Sequence, residues 1–190
     1  YFEHFDKERV QMVGYVEYTY LQNMPLERKI EIYRQYLSYE VPCTIFCSLA
    51  SPDPEFLELA RRMPEARFLW FGWTDPHLIP QEIRQAMEQA PENVTFAGFV
   101  DRETLREAYC GADVFAFMSH EETEGIVVLE ALACGIPTVV RDIPVYNGWL
   151  REGQNVYKAS GTDEFQQKAE GLLTGTLPDL TAAGRRVAEE

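Results

Sequence analysis

Residues 119–140 read SHEETEGIVVLEALACGIPTVV, and the four glutamates Glu121, Glu122, Glu124 and Glu130 crowd the start of a run that is otherwise apolar. Residues 125–135 read as a buried helix that stops at Gly135, followed by a strand over 137–142. The first backbone amides of such a helix have no partner within it, and with the helix dipole they favour an anion. Gly125 permits close approach of a ligand to the backbone there. Glu122 stands in the preceding loop, where its carboxylate can accept hydrogen bonds from ligand hydroxyls. Glu130 lies roughly 7 Å further along the helix axis. Two carboxylates flanking an anion-favouring helix end form a cradle for a polyol, a diphosphate and a second polyol, which is the shape of a nucleotide sugar. The plainer explanation, that glutamates complement the dipole, covers Glu121, Glu122 and Glu124. It does not cover Glu130, set between Leu129 and Ala131, where a charge is costly unless paired or used.

Outward from this stretch, apolar runs alternate with amphipathic segments. Strands are expected over 44–50, 67–73, 93–100, 113–118, 137–142 and 155–159, and helices over 55–63, 80–90, 101–112, 125–135 and 163–173. Asp101 takes an N-cap position. Strand–helix alternation with continuously apolar strands predicts a doubly wound parallel sheet, a Rossmann-like α/β domain over residues 42–190. Such domains bind ligands beyond the carboxyl ends of their strands, which is where 118–125 falls. Residues 1–41 fit the repeat less well. A helix over 25–37 carries Leu26, Ile30, Tyr33 and Leu37 on one face, and the segment is expected to be an accessory piece or a stub of a preceding domain. The first residue, Tyr1, and the helical look of the last nine residues predict a piece of a longer protein.

Composition narrows the function classes. The 190 residues hold 17 basic and 31 acidic side chains, a net charge of −14, so nucleic acid and anionic surfaces are unwelcoming partners. No apolar run reaches the roughly 20 residues needed to span a bilayer. Cys43, Cys47, Cys110 and Cys134 lack paired CxxC spacing and read as reduced, core or near-core thiols in a cytoplasmic protein. A zinc motif beginning at His120 would need a second histidine where Glu124 stands, so no metal site is expected.

EETEGIVVLEALACGIPTVV resembles the signature of the retaining glycosyltransferases of family four, which have the GT-B fold. Glu122 and Glu130 carry its two glutamates, with seven residues between them, followed by the small residues, Gly135, Pro137 and an apolar strand. NVTFAGFVDRETLREAYCGADVFAFMSHEE is similar to the segment that precedes that signature, and the likeness runs from about residue 42 to 190. FLELARRMPEARFLWFGWTD and VRDIPVYNGWL look closest to bacterial enzymes that build glycolipids from diacylglycerol. The resemblance implies the carboxy-terminal, donor-binding half of a GT-B enzyme that uses UDP-glucose or a similar donor, with neither metal nor cofactor. The amino-terminal acceptor domain would be missing, and the parent would touch the cytoplasmic membrane face peripherally. By position, Glu122 would hold hydroxyls of the donor sugar at the reacting centre and Glu130 the ribose. The amides of Glu124, Gly125, Ile126 and Val127 would face sugar and diphosphate, and Phe99 and Val100 would border the base. Tyr109 reads as core.

One departure stands out. Family members place an Arg and a Lys after the first strand, to neutralise the departing diphosphate. Here Ser51, Pro52, Asp53 and Pro54 occupy that place; Arg28 and Lys29 of the accessory segment could supply the charge, though the solvated face of their helix explains them as well. Loss of two cations from a leaving group removes several kcal/mol of transition-state stabilisation. The residues alone are expected to catalyse nothing without the acceptor wall. A degenerate, adaptor-like subunit is the alternative; a nucleotide-sugar epimerase with a related fold matches the glutamate pattern less well.

Overall fold

A computed structural model describes residues 54–72, 77 and 79–189, together with the backbone of 43–48. The expectations for residues 1–41, for Ser51 to Asp53, and for Arg28 and Lys29 lie outside the described residues. The elements are β1 (Cys43–Ser48), α1 (Pro54–Arg62), β2 (Ala66–Phe71), α2 (Gln81–Glu88), β3 (Val94–Gly98), α3 (Arg102–Gly111) and β4 (Val114–Phe117). They continue with α4 (Ile126–Cys134), β5 (Thr138–Arg141), a 3-10 turn (Pro144–Tyr146), β6 (Tyr157–Ala159), α5 (Thr162–Leu173) and α6 (Thr181–Glu189).

The strands pair in the order β3-β2-β1-β4-β5-β6, all parallel. The chain builds outward from β1 on one side, then returns to lay β4 against β1 and builds outward on the other. The carboxyl ends of β1 and β4 therefore form the switch point, where a doubly wound sheet has its crevice. The loop from β4 into α4, which carries the acidic cluster, opens there.

Two-sided burial follows the pleat. Leu69, Phe71, Phe115, Phe117 and Val140 face one apolar cluster with Tyr109, Val128, Leu132 and Tyr146. Their strand neighbours Phe68, Trp70, Val114, Ala116 and Val139 face the other, with Phe56, Leu57, Leu59 and Phe165. Phe56 meets Phe68 and Trp70 edge-on at 5.4 and 5.0 Å between ring centroids, an arrangement that the ring quadrupoles favour.

Two local sequence signals act as anticipated. The Asp101 carboxylate accepts from the Thr104 amide at 2.8 Å and opens α3. That bond is the main reason its carboxyl is held below the usual value of 3.8. Gly135 closes α4 with φ 70°, the left-handed cap that glycine adopts without steric cost.

Asn93, just ahead of β3, locks α1 to β2. Its Nδ2 lies 2.9, 3.0 and 2.9 Å from the carbonyl oxygens of Ala60, Met63 and Ala66. Asn93→Ala strips a donor group from carbonyls at that joint and should cost about 1–2 kcal/mol. A lowered urea midpoint with unchanged slope would register the loss; an unmoved midpoint would mean that water serves those carbonyls equally well.

Candidate functional site

α4 begins at Gly125, whose φ of 73° and ψ of 35° turn the chain from the β4 loop into the helix. Its carbonyl accepts from the amides of Val128 and Leu129 at 2.9 and 3.1 Å. The amides of Ile126 and Val127 precede any intrahelical acceptor, and no side chain caps this end. The helix thus presents backbone donors at the switch-point crevice, and its N-cap residue is a glycine whose surroundings explain why. A Cβ there would sit 2.9 Å from Tyr146 Cε1 and 3.5 Å from Trp149 Cη2. The glycine is required by its dihedral and by the protein's own rings, and that is the need the structure shows for it, in addition to any ligand's approach. Tyr146 and Trp149 meet edge-on at 5.6 Å, and Trp149 Nε1 donates to the Val145 carbonyl at 2.9 Å, which fixes the pair.

Glu122 is half-buried in the loop before the helix. Its Oε1 accepts from the Thr123 amide at 2.8 Å, so its carboxylate covers one donor of the loop. Ser119 Oγ donates to the Glu121 carbonyl at 2.6 Å and tightens the same turn.

Glu130 lies one turn into α4. Burial raises its pKa above the usual 4.5, against the hydrogen bond from Tyr109 and the charge of Arg102. The Tyr109 hydroxyl stands 3.4 Å from both Glu130 Oε2 and the Val127 carbonyl, at the outer limit of a hydrogen bond. Tyr109 is otherwise buried in the core, as its spacing suggested. Glu130 has no ion pair within 4 Å among the described residues, so an internal salt bridge does not account for this carboxylate.

The β3–α3 turn completes the outline. Phe99 is 83% exposed at the carboxyl end of β3, while Val100 packs on the core cluster that also touches Val127. Arg102, which opens α3, is close enough for its charge to act on Glu130. β3 and β4 are three strands apart in the sheet, about 14 Å at the usual spacing. The structure brings Glu122, Glu124, Gly125, Ile126, Val127 and Glu130 together along one loop and helix. It links them to Phe99 and Val100 through the start of α3, leaving the Phe99 ring in solvent.

Arg141, the last residue of β5, escaped the sequence reading. It is 5% exposed, and each guanidinium nitrogen is used: Nε donates to the Met118 carbonyl at 2.8 Å, Nη1 to the Ser160 carbonyl at 3.2 Å and Nη2 to Glu55 Oε2 at 2.6 Å. Its guanidinium carbon stands 5.6 Å from the Phe165 ring centroid. One side chain so ties the ends of β4, β5 and β6 to the first turn of α1. His120 has Nε2 3.4 Å from the other oxygen of Glu55. A charged residue closing an otherwise apolar strand was the available signal. No group of three or more His, Cys, Asp or Glu among the described residues is arranged to hold a metal.

Against known proteins, residues 54–175 match the model of the Glycosyl transferases group 1 family. This chain belongs to the Glycosyl transferases group 1 family. It is 38% identical over 136 residues to the Processive diacylglycerol alpha-glucosyltransferase of Acholeplasma laidlawii, covering 72% of this chain and 41% of that one. It is 33% identical over 147 residues to the Alpha-galactosylglucosyldiacylglycerol synthase of Streptococcus pneumoniae, covering 72% of this chain and 37% of the relative. The glycosyltransferase chain thus spans about two fifths of the length of these relatives. In three dimensions it superposes on Anabaena Alr3699/HepE in complex with UDP-glucose with a TM-score of 0.71 at 15% identity, over 88% of this chain and 49% of that one. It also superposes on the C-terminal domain of a group 1 glycosyl transferase, LpcC of Francisella tularensis, with a TM-score of 0.61 at 19% identity, over 81% of this chain and 89% of the other. Those likenesses establish the GT-B type of α/β fold.

The amino-terminal stretch has a different affinity. Residues 1–64 match the model of the HPr Serine kinase N terminus. The segment is 35% identical over 60 residues to the HPr kinase/phosphorylase of Lachnoclostridium phytofermentans, 32% of this chain and 19% of the relative. This likeness crosses residue 42, runs through β1 and α1, and overlaps the glycosyltransferase match over 54–64. The sequence reading did not recognise it.

Proposed function

We propose that this chain carries the donor-binding unit of a retaining hexosyltransferase that takes a UDP-hexose, UDP-glucose foremost, and passes the hexose to a diacylglycerol-type lipid. The observation that carries this reading is the uncapped amino end of α4 at the switch point, flanked by Glu122 and by a partly buried Glu130 that no ion pair among the described residues explains. In this arrangement Glu130 accepts from ribose hydroxyls, and the amides of Ile126 and Val127 receive the diphosphate. Glu122 and the Glu124–Gly125 backbone hold the sugar at the reacting carbon, and Phe99 and Val100 border the base. Charge is met by amides and basic side chains, without metal or cofactor. The names of the two diacylglycerol-lipid relatives and the UDP-glucose complex of the structural neighbour support the choice of acceptor and donor. The acceptor wall would come from an amino-terminal domain, with peripheral contact at the cytoplasmic membrane face. Among the described residues no helix is long and apolar enough to cross a membrane.

Calorimetric titration with UDP and UDP-glucose tests this reading. Glu130→Gln should weaken UDP roughly tenfold, the loss of one charge-assisted hydrogen-bond pair. Folding should not suffer. Because burial raises the folded pKa of Glu130, its contribution to stability is present below the usual carboxylate pKa and lost as pH rises through the raised value. At neutral pH the Gln variant should therefore melt no lower than the parent, and any advantage should shrink on acidification. A lower melting temperature with unchanged UDP affinity would assign Glu130 a structural role.

An adaptor that keeps the fold without transfer is the second reading. It is favoured by the absence of basic residues over 51–54 and by the HPr-kinase-like match that covers the same turn. Lack of UDP binding in the full protein would select it.

A further inference from the structure

Tyr146 is fully buried, yet its hydroxyl has no hydrogen-bond partner among the described residues. An orphaned buried hydroxyl is rare, because desolvating it without compensation costs free energy. It stands at the site described above. The ring lies against the N-cap glycine of α4, close enough that a Cβ on Gly125 would touch it at 2.9 Å, and Trp149, which borders the same glycine, meets it edge-on. Burial drives the phenol's pKa well up, and the negative charge of Glu122 pushes it further the same way. The phenol therefore remains protonated as a hydrogen-bond donor, within electrostatic reach of an acceptor that is occupied elsewhere.

That acceptor is the Glu122 carboxylate, which takes the Thr123 amide at 2.8 Å. It behaves as an internal anion at the approach to the helix, and the charged link of a donor would compete with it for the same electropositive end. We propose that Tyr146 is a positioning residue: its hydroxyl takes over the Glu122 carboxylate when a nucleotide-sugar diphosphate, seated on the Ile126 and Val127 amides, repels that carboxylate from the Thr123 amide, and so aims Glu122 at the sugar. The exchange gives the orphaned hydroxyl its acceptor and keeps Glu122 from being repelled out of the crevice by the incoming phosphates. It also explains why the chain buries a tyrosine rather than a phenylalanine over the glycine. This inference rests on the donor-site reading above and adds to it the residue that sets the sugar-facing carboxylate.

The test uses the full chain with UDP and UDP-glucose as separate probes, and the variants Tyr146→Phe, Glu122→Gln and both together. Tyr146→Phe should weaken UDP-glucose about fivefold and UDP less than twofold, because Glu122 serves the sugar. Its melting temperature should hold or rise, since a buried hydroxyl without a partner has been removed. Glu122→Gln should show the same selectivity, and the double variant should lose no more than either single one, the signature of two groups acting through one contact. A purely structural tyrosine would instead lower the melting temperature and weaken both probes alike. That result, unchanged UDP-glucose affinity, or full additivity in the double variant would each overturn the proposal. If the unaltered chain binds neither probe, the donor-site reading itself falls, and this inference falls with it.

Discussion

Arg141→Leu is expected to lower the melting temperature by about 6–12 °C, the largest change among single substitutions at the carboxyl edge of the sheet. The leucine fills part of the space but returns none of the donors, so the carbonyls of Met118 and Ser160 lose their partner and Glu55 loses its counter-charge. Removing the guanidinium from two carbonyls and a part-buried carboxylate at once costs about 3 kcal/mol, at roughly 1 kcal/mol or more for each bond lost. For a domain of this size each kcal/mol moves the midpoint by roughly 2–4 °C. Arg141→Lys should recover only part of the loss, since an ammonium cannot reproduce the planar fork that serves three acceptors at once. Scanning calorimetry on the three proteins decides the matter. A leucine variant within about 2 °C of the parent would mean that the strand ends hold together without the guanidinium.

Gly125→Ala should come close behind, and by a different route. At φ 73° an alanine costs about 1–2 kcal/mol in backbone strain alone. Its Cβ would also press on Tyr146 Cε1 at 2.9 Å. Tyr146 is fully buried and packed edge-on against Trp149, so its ring gives way only by disturbing its neighbours. Overpacking of this kind adds about 1–3 kcal/mol more, for about 2–5 kcal/mol in total. Denaturant unfolding should show the lost stability. The near-ultraviolet circular dichroism of Tyr146 and Trp149 should shift even under conditions where the variant stays folded. Full stability would mean that the loop and the 3-10 turn separate more easily than their packing implies.

The sheet was legible because its strands are short, continuously apolar runs, each followed by an amphipathic helix with a capping residue or a breaker. Boundaries were harder wherever a side chain competes with the ladder. The last strand was expected from residue 155 but begins at Tyr157, because Asn155 is spent on the loop: its Oδ1 accepts from the Arg151 amide at 2.7 Å and its Nδ2 donates to the Trp149 carbonyl at 2.9 Å. α2 stops at Glu88, two residues early, where the amides of Gln89 and Ala90 turn back to Gln85 and Met87. The acidic pair Glu122 and Glu130 stood out by spacing across one loop and the helix it opens. Arg141 and Tyr146 did not, because their roles arise from which strand ends the order β3-β2-β1-β4-β5-β6 brings together, and nothing in their immediate neighbours encodes that order. The amino-terminal likeness to HPr kinase was invisible for a related reason: a helix-period pattern identifies a helix, not its ancestry.

The position of β1 has a practical corollary for dissecting this gene. A truncation at residue 54, where the glycosyltransferase match starts, looks like a natural cut on paper. It would instead extract the middle stave, leaving β2 and β4 without the neighbour that joins them. The HPr-kinase-like portion is thus not a detachable appendage, since its far end is woven into the platform that carries the switch-point crevice.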